Sequence, residues 1–279
     1  MTLLVLLSLG CAAEDPAELA ACDDDGETRV AVIHDLRFAR LDENNQTPGF
    51  NLDGLDSDAG DEDGCNVQDY TDPEGNTGID NSFATLIPIL ELTEAQAVEA
   101  LIADAIASGE LLFLLEAAEL DDPRDDGCVD FGFYRGVGSP DMSSTGEFLP
   151  GQTFDIDSSR DGVVLEDLQL EDGRLTGQPF ETRIPVTIFD VSLDFAVHDG
   201  AMRVTLDDDG RMHGYFGGGV EVQTIIDLVT EENVDAALAE TVISLMGMTA
   251  DLAPDEDGVC QQISINFEFE AVSAFFFSE

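Results

Sequence analysis

The apolar residues of this chain recur with two different periods, and the change between the periods defines the predicted elements. Residues 29–38 alternate between apolar and polar side chains, which predicts a first strand. Residues 42–80 follow neither period and are rich in Gly and Asp, so they predict a long acidic loop. After Glu110 the period is two, and Asp-Gly turns separate the apolar runs. The strands predicted there read LLFLLEAAEL, VDFGFY, GVVLEDLQL, RIPVTIFD, VSLDFAVHD, AMRVTLDDD and RMHGYFGGG.

A helical period recurs in two places along the chain. Residues 81–90 predict a first helix, and a second helix starts at the capping residue Thr93 and ends before Gly109. Two more helices are predicted at 221–230 and 233–248. The helices therefore form two pairs, separated by the run of predicted strands.

The last predicted strand has the clearest division into an apolar and a polar face. The apolar face carries Ile263, Ile265, Phe267 and Phe269, and the polar face carries Ser264, Asn266, Glu268 and Glu270. Many antiparallel strands with helices clustered in two places predict an α+β fold. We expect a single α+β domain over residues 29–279, with an antiparallel, sandwich-like or curled sheet and two helical pairs.

The N-terminus has the pattern of an export signal. Residues 3–9 are a short apolar run, too short to span a bilayer but suited to the core of a signal peptide. Cys11 follows Gly10 at the end of this run and resembles the cysteine of a bacterial lipobox, which receives a lipid and becomes the mature N-terminus. Residues 1–11 thus predict a signal peptide with lipidation at Cys11, and the small, acidic residues 12–28 predict a tether. Cleavage without lipidation, giving a secreted or periplasmic soluble protein, is the alternative.

The charge of the chain excludes several classes of function. It has 61 acidic and 10 basic residues, for a net charge of −51, and every basic residue is Arg. Such a field repels nucleic acid and anionic lipid headgroups, so we expect no nucleic-acid partner and membrane contact through the lipid anchor alone. Without Lys, Schiff-base and P-loop chemistry are excluded. Hydrophobic residues make up 43% of the chain, which excludes global disorder.

The cysteines other than Cys11 predict disulfides. An even number in an exported chain is typical of bridges, and four cysteines allow three connectivities. Two of them follow Asp-Gly turns and open predicted core strands, so we predict that Cys128 pairs with Cys260. This leaves Cys22 to pair with Cys65.

The acidic loop is the strongest candidate for metal binding. Carboxylate oxygens on a Gly-rich backbone suit Ca²⁺, which takes about six to eight oxygen ligands in flexible geometry. The loop does not follow the EF-hand pattern. The predicted calcium ligands are Asp53, Asp56, Asp58, Asp61, Asp63, Asp72 and Asp80. The alternative is a solvated, salt-adapted acidic surface.

Several segments together resemble a known group of proteins. The segments are GFNLDG at 49–54, DPEGNTGIDN at 72–81, GELLFLLEAAELDDPRDDGCV at 109–129 and GYFGGGV at 214–220. They resemble predicted lipoproteins of myxobacteria and related bacteria, a group with no assigned activity. The resemblance implies export and lipid anchoring. Together with the lipobox-like Cys11, we expect a place in the cell envelope, at the outer membrane.

No catalytic motif stands out in the sequence. It contains no G-x-S-x-G, H-E-x-x-H or phosphate-binding loop, and its three histidines lie on or beside predicted strands. We therefore predict no catalytic residues and a structural or binding role at the cell envelope. Calcium, as a stabilising ion, is the one candidate cofactor. No motif identifies a protein or small-molecule partner. Two alternatives stay open: an envelope hydrolase with paired carboxylates, and a surface adhesion or assembly component.

Overall fold

The computed structural model describes residues 26–91, 98–188, 191–231 and 236–277. Strands in these residues are β1 (Glu27–Phe38), β2 (Tyr70–Thr71), β3 (Thr77–Ile79), β4 (Leu112–Leu120), β5 (Asp126–Val137), β6 (Gln152–Ile156), β7 (Val163–Glu171), β8 (Arg174–Ile188), β9 (Val191–Leu206), β10 (Met212–Glu221), β11 (Leu252–Pro254) and β12 (Cys260–Phe277). Helices in the same residues are α1 (Ile87–Leu90), α2 (Val98–Ser108), α3 (Val222–Glu231) and α4 (Ala236–Thr249), and a 3-10 turn covers Ser82–Thr85. The predicted signal peptide and Cys11 lie outside the described residues.

Eight of these strands close into an antiparallel barrel. Strands β1, β4, β5, β7, β8, β9, β10 and β12 pair in this order. Strand β12 then pairs with β1, from Ala31 opposite Ser273 to Phe38 opposite Phe267. The short strand β6 runs parallel to the end of β12, and β11 pairs with the beginning of β12.

The predicted α+β fold, a sandwich-like or curled sheet with two helical pairs, is therefore wrong. The molecule is mostly β, and about 16% of the described residues are helical. Most predicted strands exist, but the pairing of the first strand with the last converts an open sheet into a closed one. No local pattern signals this pairing, because its partners lie at the two ends of the domain.

The interior of the barrel is filled by aromatic rings. Phe113 stacks on Phe133 with ring centroids 5.0 Å apart, and Phe133 lies 5.5 Å from Phe216. Phe216 in turn stacks on Phe267 at 5.3 Å. Because these residues come from β4, β5, β10 and β12, the rings bridge opposite walls of the barrel. An eight-stranded barrel is narrow enough for side chains to fill it, and such aromatic contacts stabilise the closed form.

The helices partly match their predicted positions. Gly109 has a positive φ of 82° and ends α2, as predicted. The predicted helix over 81–90 is instead the 3-10 turn followed by the single-turn α1, with Pro88 in its first turn. The predicted capping residue Thr93 lies outside the described residues. Helices α3 and α4 begin and end within a few residues of the predicted second pair.

A disulfide fastens the acidic loop to the barrel. Cys65 is bonded to Cys260 at the start of β12, with Cα atoms 6.0 Å apart. The predicted pairs Cys128–Cys260 and Cys22–Cys65 are therefore wrong. Cys128 lies on β5, which does not neighbour the start of β12, and it is disulfide-bonded as well. Cys22 lies outside the described residues.

Candidate functional site

An open cleft of about 840 Å³ lies over β1, β10 and β12 on the outside of the barrel. Its floor includes the polar face of β12, where Glu268 is opposite Tyr215 and Glu270 is opposite His213. Asp35 of β1 is opposite Glu270 on the other side. Helix α2 and the segment 142–148 form the walls. The regular alternation of the last strand therefore places two glutamates on the floor of the cleft.

Carboxylates dominate the lining of the cleft. The acidic lining residues are Asp35, Asp104, Glu147, Asp207, Glu268 and Glu270. Arg211 is the one arginine among the described lining residues, and its Nε atom lies 2.9 Å from Oδ2 of Asp209. Arg37 reaches the edge of the floor, where its guanidinium lies 3.2 Å from Asp35 and 3.7 Å from Glu270. Negative charge is thus in excess, and a positively charged group is the complementary ligand.

Two histidines lie in this cleft in different environments. The Nδ1 atom of the exposed His213 lies 3.2 Å from Oδ2 of Asp207. His34 is half-buried, and its ring centroid lies 6.1 Å from that of Phe148. Burial lowers the pKa of His34, although the charges of Glu270 and Asp35 oppose this effect. The imidazole of His34 is therefore neutral at neutral pH.

The remaining lining residues add apolar and aromatic surface to the cleft. Met142, Phe148 and Tyr215 supply apolar and aromatic surface beside the carboxylates. Aromatic faces attract cations in addition to the carboxylates. The described lining residues include no Ser, Thr, Cys or Lys that could serve as a nucleophile. The cleft can therefore hold a cation through charge and ring contacts.

A second polar region lies beneath residues 49–82, which form the acidic segment. The seven predicted calcium ligands are distributed within this segment. Asp58, Asp61 and Asp63 lie in exposed turns before Cys65, where Oδ2 of Asp61 accepts the N–H of Asp58 at 2.9 Å. These three carboxylates face solvent, so they do not converge with the buried ligands that follow.

The carboxylate of Asp72 finds all its hydrogen-bond partners within the protein. Its carboxylate accepts the N–H groups of Glu74 at 2.9 Å and Asn76 at 2.8 Å, and the side-chain amide of Asn76 at 2.7 Å. Arg203 lies 3.6 Å away. Although burial opposes them, these hydrogen bonds and the charge of Arg203 hold the pKa of Asp72 below its usual value. Asp72 thus stabilises its own turn and needs no metal ion.

Asp80 is buried without a compensating charge. Its Oδ2 atom accepts the N–H of Leu52 at 2.6 Å and that of Asp53 at 3.4 Å, whereas Oδ1 has no hydrogen-bond partner. Burial is the main cause that raises the pKa of Asp80 to about 8. The hydrogen bond from Leu52 lowers it, but the charges of Asp53, Asp251 and Asp69 raise it further. Asp80 therefore holds a proton at neutral pH when no cation is bound.

Asp69 lies against Asp80 and is half-buried. Its Oδ2 atom accepts the N–H of Ser57 at 2.6 Å. Burial raises the pKa of Asp69, and the hydrogen bond with Asp80 and that from Ser57 lower it. Asp56 lies nearby, where it accepts the hydroxyl of Thr77 at 2.7 Å. Of the predicted ligands, Asp53, Asp56 and Asp80 therefore lie in the same region as Asp69.

The covered half of the polar face of β12 holds the acidic segment in place. Asp251 accepts the N–H of Ser264 at 2.8 Å and its hydroxyl as well, and burial raises the pKa of Asp251 to about 6. The hydroxyl oxygen of Ser264 accepts the N–H of Ser82 at 2.7 Å. The side-chain amide of Asn266 donates to the carbonyl of Asp80 at 2.7 Å. These bonds attach Asp80 and Ser82 to the barrel wall.

Within the described residues, no three His, Cys, Asp or Glu side chains form a ready metal centre. Calcium binding by the acidic segment stays a prediction. The sequence interpretation missed Asp69 and Asp251, whose charges, after that of Asp53, help to raise the pKa of Asp80. A signal for the covered region was present in β12, where uncharged Ser264 and Asn266 precede charged Glu268 and Glu270 on the same face. Uncharged polar residues are easier to bury, so they mark the half that another segment covers.

No helix in the described part of the chain is long and apolar enough to cross a membrane. Comparisons of the chain with protein-family models, with curated proteins and with solved structures found no match.

Proposed function

We propose that this protein is an exported, lipid-anchored binding protein of the cell envelope that holds a cationic ligand in the cleft over β1, β10 and β12. The observation that carries the proposal is the lining of this cleft, where six carboxylates outnumber Arg211, which is paired with Asp209, and Arg37 at the edge of the floor. Aromatic and thioether groups beside the carboxylates suit organic cations, such as polyamines or arginine-rich peptides. The net charge of −51 would attract such ligands from a distance.

The alternative of an envelope hydrolase has less support. A carboxylic acid that serves as a general acid is usually shielded from water, because burial keeps its proton at neutral pH. Asp104, Glu147 and Glu270 are exposed at the open face of the cleft. Open, exposed carboxylates suit reversible binding of a charged ligand better than proton transfer.

The anchor and the location belong to the same proposal. The signal-like run and Cys11, together with the resemblance to predicted lipoproteins, support attachment to the outer membrane through a lipid. The barrel would then present its cleft at the membrane surface, and the acidic tether would keep the domain away from anionic headgroups.

A pair of neutral substitutions on the cleft floor tests the proposed ligand class. Glu268→Gln with Glu270→Gln removes two charges from the floor. We expect affinity for spermine, measured by isothermal titration calorimetry, to fall about tenfold, which corresponds to about 1.4 kcal/mol. The matched control is Glu166→Gln with Glu171→Gln on β7, which removes two exposed charges from another wall of the barrel. Equal losses in both double variants would refute the cleft as the binding site.

A further inference from the structure

Two phenylalanines in the last part of β12 form an apolar patch on the surface of the protein. Phe275 is 63% exposed and Phe277 is 69% exposed. This part of β12 pairs in parallel with β6, where Phe275 is opposite Thr153 and Phe277 is opposite Asp155. On its other side Asp155 is opposite Val137 of β5, which is 50% exposed. Residues opposite each other on paired strands share a face, so Val137 and the two phenylalanines lie on one surface.

The other face of the same strands is packed, so the patch is not a frayed chain end. Phe276 alternates to this face, and its ring centroid lies 5.8 Å from that of Tyr134 on β5. Phe154, which is opposite Phe276, is 3% exposed. The N–H of Gly151 donates to the carbonyl of Ser273 at 2.6 Å. The exposed rings are therefore held in place by their buried neighbours, and fixed apolar patches of this kind mark interaction surfaces.

The patch lies on the wall of the barrel at which the predicted tether joins the domain. A Cβ atom at Gly26, the first described residue, would collide with the main chain of Glu119 on β4. Three residues earlier on β4, Glu116 accepts the hydroxyl of Tyr134 at 3.0 Å. Tyr134 in turn contacts Phe276 beneath the patch. About 10 Å of strand, one hydrogen bond and one ring contact thus connect the tether junction to the patch.

The charge of the protein decides which apolar partner suits the patch. A second copy of the chain carries the same net charge of −51, so two patches would meet against strong repulsion. Anionic lipids are repelled for the same reason. Asp155, between Phe277 and Val137, adds a negative charge within the patch itself. A zwitterionic lipid surface has no net charge, and its headgroup layer can hold this carboxylate while the apolar side chains reach the acyl boundary.

We infer that Val137, Phe275 and Phe277 form a contact surface for a zwitterionic lipid membrane. The inference rests on the lipid anchor of the proposed function, because the anchor supplies proximity to the membrane. Cys11 and Gly26 are 15 positions apart. A chain of this length spans at most about 50 Å, so an anchored protein can bring the patch to the bilayer. Three apolar side chains bind a membrane only weakly by themselves, so the patch orients the anchored domain and does not replace the anchor.

A single tryptophan can report whether the patch enters the lipid, because the chain contains no Trp. Phe277→Trp is made in the full chain, and Cys11 of the purified, non-lipidated protein is coupled to a maleimide-bearing lipid in phosphatidylcholine vesicles. Cys65, Cys128 and Cys260 are disulfide-bonded and do not react, and peptide mapping verifies coupling at Cys11. We expect the tryptophan emission to shift to shorter wavelength on coupling, and brominated phosphatidylcholine to quench most of it, because the indole meets the acyl chains.

Val259→Trp is the matched control for this reporter. Val259 is 57% exposed and directly precedes β12, whereas the patch lies at the other end of this 18-residue strand. We expect its emission to be unchanged by coupling and unaffected by the brominated lipid. Phe275→Trp is a second reporter within the patch and should behave as Phe277→Trp does. Vesicles rich in phosphatidylglycerol should reduce the quenching of both patch reporters, because the negative body is repelled.

Four results would overturn the inference. The first is an absence of quenching in both patch reporters, and the second is equal quenching of Phe277→Trp and Val259→Trp. The third is undiminished quenching in the anionic vesicles. The fourth is a shift of the Phe277→Trp emission that depends on protein concentration without vesicles, which would identify a second copy as the partner. Because the coupling supplies the anchor chemically, none of these results depends on lipidation in cells, which fractionation of Cys11→Ser tests separately.

Discussion

Asp80 combines burial with three acidic neighbours, and its protonation couples folding to pH. The pKa of Asp80 is about 8 in the folded protein, whereas an unfolded aspartate has a pKa of about 3.9. The folded state therefore binds the proton more tightly than the unfolded state. Proton binding is therefore linked to folding. Protonation of Asp80 makes its full contribution to the free energy of unfolding below about pH 4, and this contribution is lost as pH rises from about 4 to about 8.

Replacement of Asp80 by Asn should remove this dependence. In the presence of a chelator, we expect Asp80→Asn to gain stability relative to the wild type between about pH 4 and pH 8, up to the order of 5 kcal/mol. The reason is that an amide cannot ionise in the buried site. Denaturant unfolding of both proteins across this range measures the difference. Asp63→Asn, which removes an exposed charge, is the control, and a pH-independent difference for Asp80→Asn would contradict the assignment.

Among the elements, β10 and β12 determine how closely the acidic segment can approach the barrel. A Cβ atom at Gly217 would collide with the side chain of Asn266 and with the carbonyl of Ile265. A Cβ atom at Gly219 would collide with the side chain of Gln262. Gly217 thus leaves room for the side chain of Asn266, which holds the segment, and Gly219 leaves room for that of Gln262, which donates to Glu221.

Gly217→Ala should therefore destabilise the protein. We expect a loss of about 1–3 kcal/mol in the free energy of unfolding, because the new methyl group meets backbone that cannot move freely. The control is Gly247→Ala in α4, where a Cβ atom meets no other atom within 4 Å. That substitution should stabilise the helix by about 0.5–1 kcal/mol. Equal effects of the two substitutions in urea unfolding would refute the steric explanation.

At the scale of the whole molecule, the barrel provides a rigid wall on which the cleft and the acidic segment are both built. The rings of Phe113, Phe133 and Phe216 pack its interior, so both sites lie on its outer surface. The two sites share β12: Ser264 and Asn266 lie beneath the segment, and Glu268 and Glu270 line the cleft. A cation in one site would change the electrostatic potential in the other only weakly at physiological salt, because charges are screened over about 8 Å.

Lipidation of Cys11 decides whether the barrel and its cleft act at a membrane. If Cys11 is lipidated, the mature protein should partition into detergent with the membrane fraction. Cys11→Ser should move it to the soluble fraction, because the negative body has no other favourable contact with anionic lipid. Fractionation of cells that express either form measures this effect. Membrane association that persists in Cys11→Ser would refute lipid anchoring.

Much of the local structure was predictable from the sequence. The alternating residues of β12 and the end of α2 at Gly109 follow from side-chain period and turn chemistry, which act over a few residues. The loop predicted over 42–80 is mostly irregular, but it also contains the short paired strands β2 and β3, which its sequence did not indicate. The glutamates of the cleft floor were placed on the correct face of their strand for the same reason. The acidity of the calcium candidates was visible too, since it depends on composition alone.

The tertiary structure decided what depends on contacts between distant residues. Residues 31–38 pair with 267–273 to close the barrel, and Cys65 meets Cys260 across 195 positions. The covering of β12 by the acidic segment buries Asp80 and Asp69 while it leaves Asp58 and Asp63 in solvent. Sequence alone assigned Asp58, Asp63 and Asp80 the same role and passed over Asp69, because the burial that distinguishes these residues is a property of the closed barrel and of the segment folded over it.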